Sequence, residues 1–425
     1  MPVGEWRTVS LADLCDDVQY GVTASASADL PNAPLLLRIT DIVPPRIDWS
    51  AVPGCDVPDE KIGKFELRDG DIVVARTGAT VGYAKHVKRP PIRAVFASYL
   101  VRFRVSDGAD PAYIGHVVQS VAYKEYVAAH AGGAAQPNAN AKVLGGFPVP
   151  LPDKPTQSRV AAVLSAFDEL IEINERRIEL LEDLARSLYR EWFVRFRFPG
   201  HDDVELVDSD LGPIPEGWEA ASLGSSAQWL SGGTPSTMNP AFWDGDIPWI
   251  SSGSLKSMLL DRSDRSVTPA GAAAGSRIVE RDTLLFVVRG MSLVREFRVG
   301  LAERTLAFGQ DCKALLANDG VEPLYLAFSV FERSDDIQGM VELAGHGTGK
   351  LSTDRLKAVT YPLPPERVQD AFVETITPIR EALAIHADRN RQLAATRDLL
   401  LPRLVTGRLD ISDVDLGVLS PLEAE

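Results

Sequence analysis

Cysteine is scarce in this chain. Cys15, Cys55 and Cys312 are three among 425 residues, far apart and odd in number. Without a CxxC spacing they speak against a disulfide framework and a cysteine zinc site, and they fit a reducing cytoplasm. The six histidines are dispersed, with no HExxH pair. No apolar run reaches the ~18 residues of a membrane helix, and the N-terminal MPVGEWRTVS has no apolar signal core. A cytoplasmic protein without a membrane span is expected.

What is present points to a globular chain. Hydrophobic residues make up 45% of the sequence, and this length calls for two or three cores. The formal net charge is -15, which taken alone argues against a nucleic-acid partner. Distribution matters more than the sum. Residues 1–150 hold 15 Lys/Arg against 16 Asp/Glu, and residues 72–106 hold seven Lys/Arg and no acid at all. Tyr83, Phe96, Tyr99 and Phe103 are interleaved with those bases. After Arg408 there is no further basic residue, so the C-terminal end reads as a solvated acidic tail.

The sequence is written twice. Trp6 and Trp218 lie 212 residues apart, and so do Pro150-Leu151-Pro152 and Pro362-Leu363-Pro364, Gln157 and Gln369, Leu181 and Leu393, Leu188 and Leu400. Five matches at one offset and in one order mark a tandem duplication. Each copy begins with about 150 residues of short β-branched runs punctuated by Gly and Pro, such as DIVVAR (71–76) and DTLLFVVR (282–289), mixed with helical patterns such as residues 113–129. That mixture predicts a compact α/β or α+β domain.

After each PLP corner the pattern changes. Val160, Leu164, Phe167, Ile171, Asn174, Ile178, Leu181, Ala185, Leu188 and Trp192 alternate in steps of four and three. Phe372, Ile376, Ile379, Leu383, His386, Asn390, Leu393, Arg397, Leu400 and Leu404 repeat the rhythm. These are heptad seams. Helices of this length span about 50 Å and need a partner for their apolar stripe. Each helix can pack on its own domain, but pairing with the other, antiparallel, covers both seams, with Asn174, His386 and Asn390 helping to fix register. The polar segment 198–218 reads as a linker. A dumbbell with pseudo-twofold symmetry is expected.

Two regions of the first copy suit a polyanion. Arg76, Thr77, Gly78 and Thr80 form a strand end and a glycine loop that permits close backbone approach. Lys85, Lys88, Arg89 and Arg93 follow in a Pro-rich segment, as phosphate contacts would. In VRFRV (101–105) the alternation predicts Val101, Phe103 and Val105 in the core, with Arg102 and Arg104 in solvent. Gln136, Asn138, Asn140 and Lys142 form a polar cluster whose amides can read adenine. The second copy carries Arg289, Ser292, Arg295 and Arg298, then Thr348, Lys350 and Ser352, mixed with acids. Different residues on matching scaffolds are what two domains reading different sequences would show.

Catalytic motifs are incomplete. GHGTGKLS (345–352) fails as a phosphate loop, since Ala344 and Leu351 stand where Gly and Ser/Thr are required. RTGATVG lacks GxGxxG spacing, and VPDEKIG (57–63) offers acids beside a lysine without a further acidic partner. An asparagine or aspartate followed by Pro-Pro and an aromatic, as in amino-methyltransferases, is absent; Pro44-Pro45 lies in IVPPRI.

Taken in order, RITDI (38–42), GDIVVARTGATVG (70–82), AAQPNANAK (134–142), PVPLP (148–152), a long helix, and the whole pattern again with IPWISSG (247–253) and LLFVVRG (284–290), the chain resembles the specificity subunits of type I restriction-modification systems. One departure is that the usual Glu-Gln after the PLP corner is present only as Gln157 and Gln369. The resemblance implies an α+β fold with two α/β target recognition domains in tandem pseudo-repeat, separated by an antiparallel coiled coil. The expected segments are residues 1–152 and 217–364 as recognition domains, 153–198 and 365–410 as spacer helices, 199–216 as linker and 411–425 as tail. It further implies double-stranded DNA as ligand, each domain reading one half of a split target. Two modification subunits that bind S-adenosylmethionine would dock on the helices, and restriction/translocase subunits would use ATP and Mg. No cofactor and no catalysis are expected in this chain. Two other readings stand beside this one: a coiled-coil scaffold that binds proteins without DNA, and a nucleic-acid enzyme with an unrecognised site.

Overall fold

The β-branched runs become strands. The computed structural model describes residues 6–27, 30, 32–133 and 137–411. In the first copy Ile72–Ala75 lies between Ala84–His86 and Leu100–Val105, and Cys15–Tyr20 pairs on the far side of Leu100–Val105, all antiparallel. The second copy has the same order, Ala227–Ser231, Cys312–Ala317, Leu284–Val287 and Val299–Ala302, with a parallel edge strand, Leu259–Leu260, added. The turn into the inner strand needs a left-handed residue in both copies. Gly70 supplies it at φ 87° and Asp282, 212 positions on, at φ 68°, a conformation that aspartate tolerates better than most residues. The helical pattern over 113–129 forms two helices, Pro111–Gln119 and Val121–His130, divided where Ser120 caps the second.

The chain divides into two compact units, Met1–Glu175 with Asp388–Glu425, and Arg176–Ala387. In each unit the repeat is visible as the same set of hydrogen bonds. Arg7–Ser10 pairs with Pro148–Leu151, and Glu219–Ser222 with Thr360–Leu363. Gln157 Oε1 accepts from the Asp110 N–H at 2.8 Å, and its Nε2 donates to the Pro152 carbonyl at 2.9 Å. Gln369 does the same with the Glu322 N–H and the Pro364 carbonyl, at 2.8 and 2.9 Å. The Tyr113 hydroxyl donates to Pro150 and the Tyr325 hydroxyl to Pro362. The PLP corner therefore functions as a buckle. Both glutamines are buried, so each satisfies backbone groups that water cannot reach.

Both heptad segments are helical, as Lys154–Tyr189 and Glu366–Val405. In the first unit Asp168 meets Arg397 at 2.6 Å, and Asn390 Nδ2 donates to the Ile171 carbonyl at 3.2 Å. Partner numbers fall as the chain rises, so the pairing is antiparallel. In the second unit Phe372 packs on Tyr189, Trp192 and Phe193, with ring centroids 6.0, 5.8 and 4.9 Å apart. Ile376 and Leu383 are buried in the same core, with Ile178, Leu181, Leu188 and Ile379 packed around it. Leu164 is buried in the first unit's core and Leu400 packs against it. Asn174 is buried, while Phe167, Ile171, Leu393, His386 and Asn390 are half-buried. Pairing with the other helix and packing on the unit's own globular core occur together in both units.

One expectation fails. Arg102 is not in solvent: it is 1% exposed, donates to the Glu66 carbonyl at 2.9 Å, pairs with Asp17 and sits over the Phe96 ring. Arg104 makes a two-pronged contact with the buried Asp71 at 2.8 Å on each prong. Alternation correctly separates the two faces of this strand. It cannot tell that the strand is interior to the sheet and that a second layer covers the arginine face as well.

Candidate nucleic-acid interface

In each unit the inner strand runs out into a loop that a distant polar segment backs. In the first, Ala139 N–H donates to the Arg76 carbonyl at 2.8 Å, Gly78 N–H to Pro137 at 3.0 Å, and Thr77 lies opposite Asn138. In the second, Leu351 N–H donates to the Val288 carbonyl at 2.9 Å, and Arg289 and Gly290 lie opposite Lys350 and Gly349. A third segment closes each loop from the other side: Arg76 N–H donates to the Tyr99 carbonyl at 3.0 Å, and Val288 N–H to Asp311 at 2.9 Å. Every position in these sets matches its counterpart at the 212-residue offset.

The side chains on these frames differ. Arg76 lies 4.9 Å over the Tyr20 ring, and its Nη2 reaches Asn138 Oδ1 at 3.5 Å. The Tyr20 hydroxyl accepts from the Ala141 N–H at 2.8 Å, so one tyrosine braces both the arginine and the short helix behind the loop. Tyr99 projects beside them, 60% exposed. Tyr99, one of the aromatics interleaved with the bases, and Tyr20, which no sequence pattern marks, complete the site. Only tertiary contact brings Tyr20 to the loop, where its ring lies under Arg76. In the second unit Arg289 and Lys350 are exposed. Gly290, at φ 144°, approaches Ser252 in the turn Ser251–Ser254. Ser292 begins a short helical turn whose Leu293 packs on Gly349.

The remaining residues singled out in the sequence divide. Asn140 caps its helix through the Val143 N–H at 2.9 Å, Lys142 is exposed on that helix, and Thr80 ends the glycine turn. Gln136 lies outside the described residues. Thr348 and Ser352 flank Lys350, and Arg295 is exposed next to Ser292. Lys85 donates to the Pro44 and Pro45 carbonyls at 2.7 and 2.8 Å, and burial pushes its pKa down to about 8, against the pull of Asp168. Arg93 pairs with Asp59 at 2.5 Å. Arg298 holds Glu296 at 2.5 Å and the Ser252 carbonyl at 3.0 Å. Lys88 and Arg89 are exposed, but Arg89 N–H is anchored to Asp69, at the opposite end of Ile72–Ala75 from Arg76, roughly 15–20 Å along the strand direction. The acid-free stretch thus does not form a single basic face. Acids from elsewhere in the chain meet several of its bases. Phe96 and Phe103 are core residues, and Lys124 covers the exposed Tyr83 ring at 4.7 Å.

Among the described residues no group of three or more His, Cys, Asp or Glu side chains is placed to hold a metal, and no helix is long and apolar enough to cross a membrane.

The described residues thus form a duplicated α+β frame with a polar loop site in each copy and two long helices that run antiparallel where they pair. The sequence profile described as type I restriction modification DNA specificity domain matches residues 56–183 and 215–395. With more than half of its length matched, the chain belongs to that family. It is similar to the type I restriction enzyme MjaIX specificity subunit of Methanocaldococcus jannaschii, at 23% identity over 80% of this chain and 78% of the relative. The putative type I restriction enzyme MjaX specificity subunit of the same organism is 22% identical over 96% of this chain and 94% of its own length. In fold it resembles the crystal structure of the type I restriction-modification S subunit from M. genitalium, with a TM-score of 0.54 at 16% identity, over 94% of this chain and 96% of that one.

Proposed function

We propose that this chain is the DNA-recognition subunit of a type I modification complex, each loop site reading one half of a split target. The observation that carries this is the repeated frame: one set of backbone hydrogen bonds at Arg76–Asn138 and Val288–Lys350 presenting different side chains. A common frame suits the common duplex, and different side chains suit different bases. Arg76, Thr77, Gly78, Asn138 and Lys142 would face DNA in the first unit, and Arg289, Ser292, Arg295, Thr348, Lys350 and Ser352 in the second.

The paired helices would set the length of unread sequence between the half-sites, much as dimer geometry sets half-site spacing in other DNA readers. They would also dock two methyltransferase subunits. Leu170 and Ile173 in the first unit, and Leu180 and Leu184 in the second, support this: each pair keeps a three- or four-residue helical spacing off the seam and is 44–53% exposed, apolar positions that suit a helical partner. Adenine methylation with S-adenosylmethionine, and any ATP-driven cleavage, would belong to partner subunits, in the cytoplasm where the DNA is. Labelled duplex carrying the system's target should shift with the assembled complex, with affinity falling steeply as salt rises. A complex that assembles and never shifts DNA would favour the protein-scaffold reading instead.

A further inference from the structure

We infer that the half-site read by the second unit contains a guanine contacted by Arg289. This rests on the proposed reading of split DNA and goes further, to the identity of a base. Phosphates are the same in both half-sites, so contacts to them carry no information about which half is read; contacts to bases do. Bases differ, and so do these positions. Where the first unit has Thr77 opposite Asn138, the second has Arg289 opposite Lys350.

Two like charges directly across a strand pair destabilise it. Lys350 has some compensation, because Glu342 lies opposite it on its other side, although that carboxylate is held by Arg355 at 3.0 Å. Arg289, on the outer strand, has none: it is exposed, and its guanidinium has no hydrogen-bond or ion-pair partner among the described residues. Its backbone is nevertheless fixed, by the N–H donated to the Asp311 carbonyl at 3.3 Å and by pairing with Lys350. Gly290 follows at φ 144°, a conformation that disfavours any other residue. The result is a free, forked double donor on an anchored backbone. In the major groove the base edge that matches such a fork is guanine, with its O6 and N7 acceptors. Lys350 beside it adds positive potential toward the same edge.

The test uses the full chain in its assembled modification complex, with genomic DNA as the probe and methylated adenines mapped by sequencing. The wild-type complex should give a split motif with guanine in one half. Arg289→Gln should relax that one guanine position by about 5- to 150-fold and leave the other half unchanged. Arg289→Ala, read in the same way, guards against one variant failing to assemble. A split motif without guanine in either half overturns the inference and leaves the split-target reading standing. So does a variant that keeps the motif, or one whose intact complex methylates every site equally more weakly, the mark of a phosphate contact. A wild-type complex with no split motif overturns the reading itself.

Discussion

Arg76 and Arg102 lie in the same acid-free stretch, yet their surroundings give them opposite expectations. Arg76 rests on Tyr20 at the loop site, whereas Arg102 is enclosed by Asp17, Phe96 and the Glu66 carbonyl. Arg76→Ala should lower the slope of log affinity against log salt by about one if it meets a phosphate, and Arg102→Met should leave that slope unchanged; titration at several salt concentrations checks both. His116 offers a test of stability. Its Nε2 is 3.2 Å from Ser165 Oγ, with Asp168 3.8 Å from Nδ1, and burial pushes its pKa down to about 4. Asp168 opposes that shift, while His86, Lys88 and Arg397 add to it. Below the ordinary value of about 6.5 the unfolded chain takes up this proton and the folded chain does not, so stability falls as pH drops. Between pH 7 and pH 5 this one group should cost about 2 kcal/mol. Urea unfolding of His116→Asn should show a correspondingly smaller loss over that interval. None of these environments is legible locally in the sequence: Asp59, Asp71 and Asp17, which neutralise Arg93, Arg104 and Arg102, are far from them in the chain.

At the scale of elements the sequence is far more informative, because the signals are periodic. Heptad spacing marks both long helices and their need of a partner, while the antiparallel direction is implied by the resemblance. The 212-residue offset gave the duplicated frame, down to Gln157 and Gln369. Only the glutamine of the usual Glu-Gln stands at these two positions, and its hydrogen bonds in the buckle give its physical role. Gln157→Ala and Gln369→Ala each remove an acceptor from a backbone N–H and a donor from a proline carbonyl. Each should destabilise its own unit by about 1–3 kcal/mol, measured by thermal or urea unfolding. Leu383→Ala, in the core where the second unit's helices meet its globular part, should cost about 2–5 kcal/mol. Burial on the second face of Leu100–Val105 was not legible, since alternation alone does not say whether a strand is covered on one side or on both.

For the whole molecule, charge and duplication together define the behaviour. A net charge of -15 opposes a polyanion at long range, and several bases of the acid-free stretch are already paired. Affinity of this chain alone for its target duplex should therefore be weak and should rise on adding a modification subunit; tight binding by the isolated chain at physiological salt would refute this. The claim on which everything rests is that two similar frames read two separate stretches of one duplex. Mapping methylated adenines in DNA from cells carrying the complete system tests it most directly. The expected pattern is two short defined blocks separated by a constant number of unspecified base pairs. A single uninterrupted motif, or a gap that varies from site to site, would contradict it.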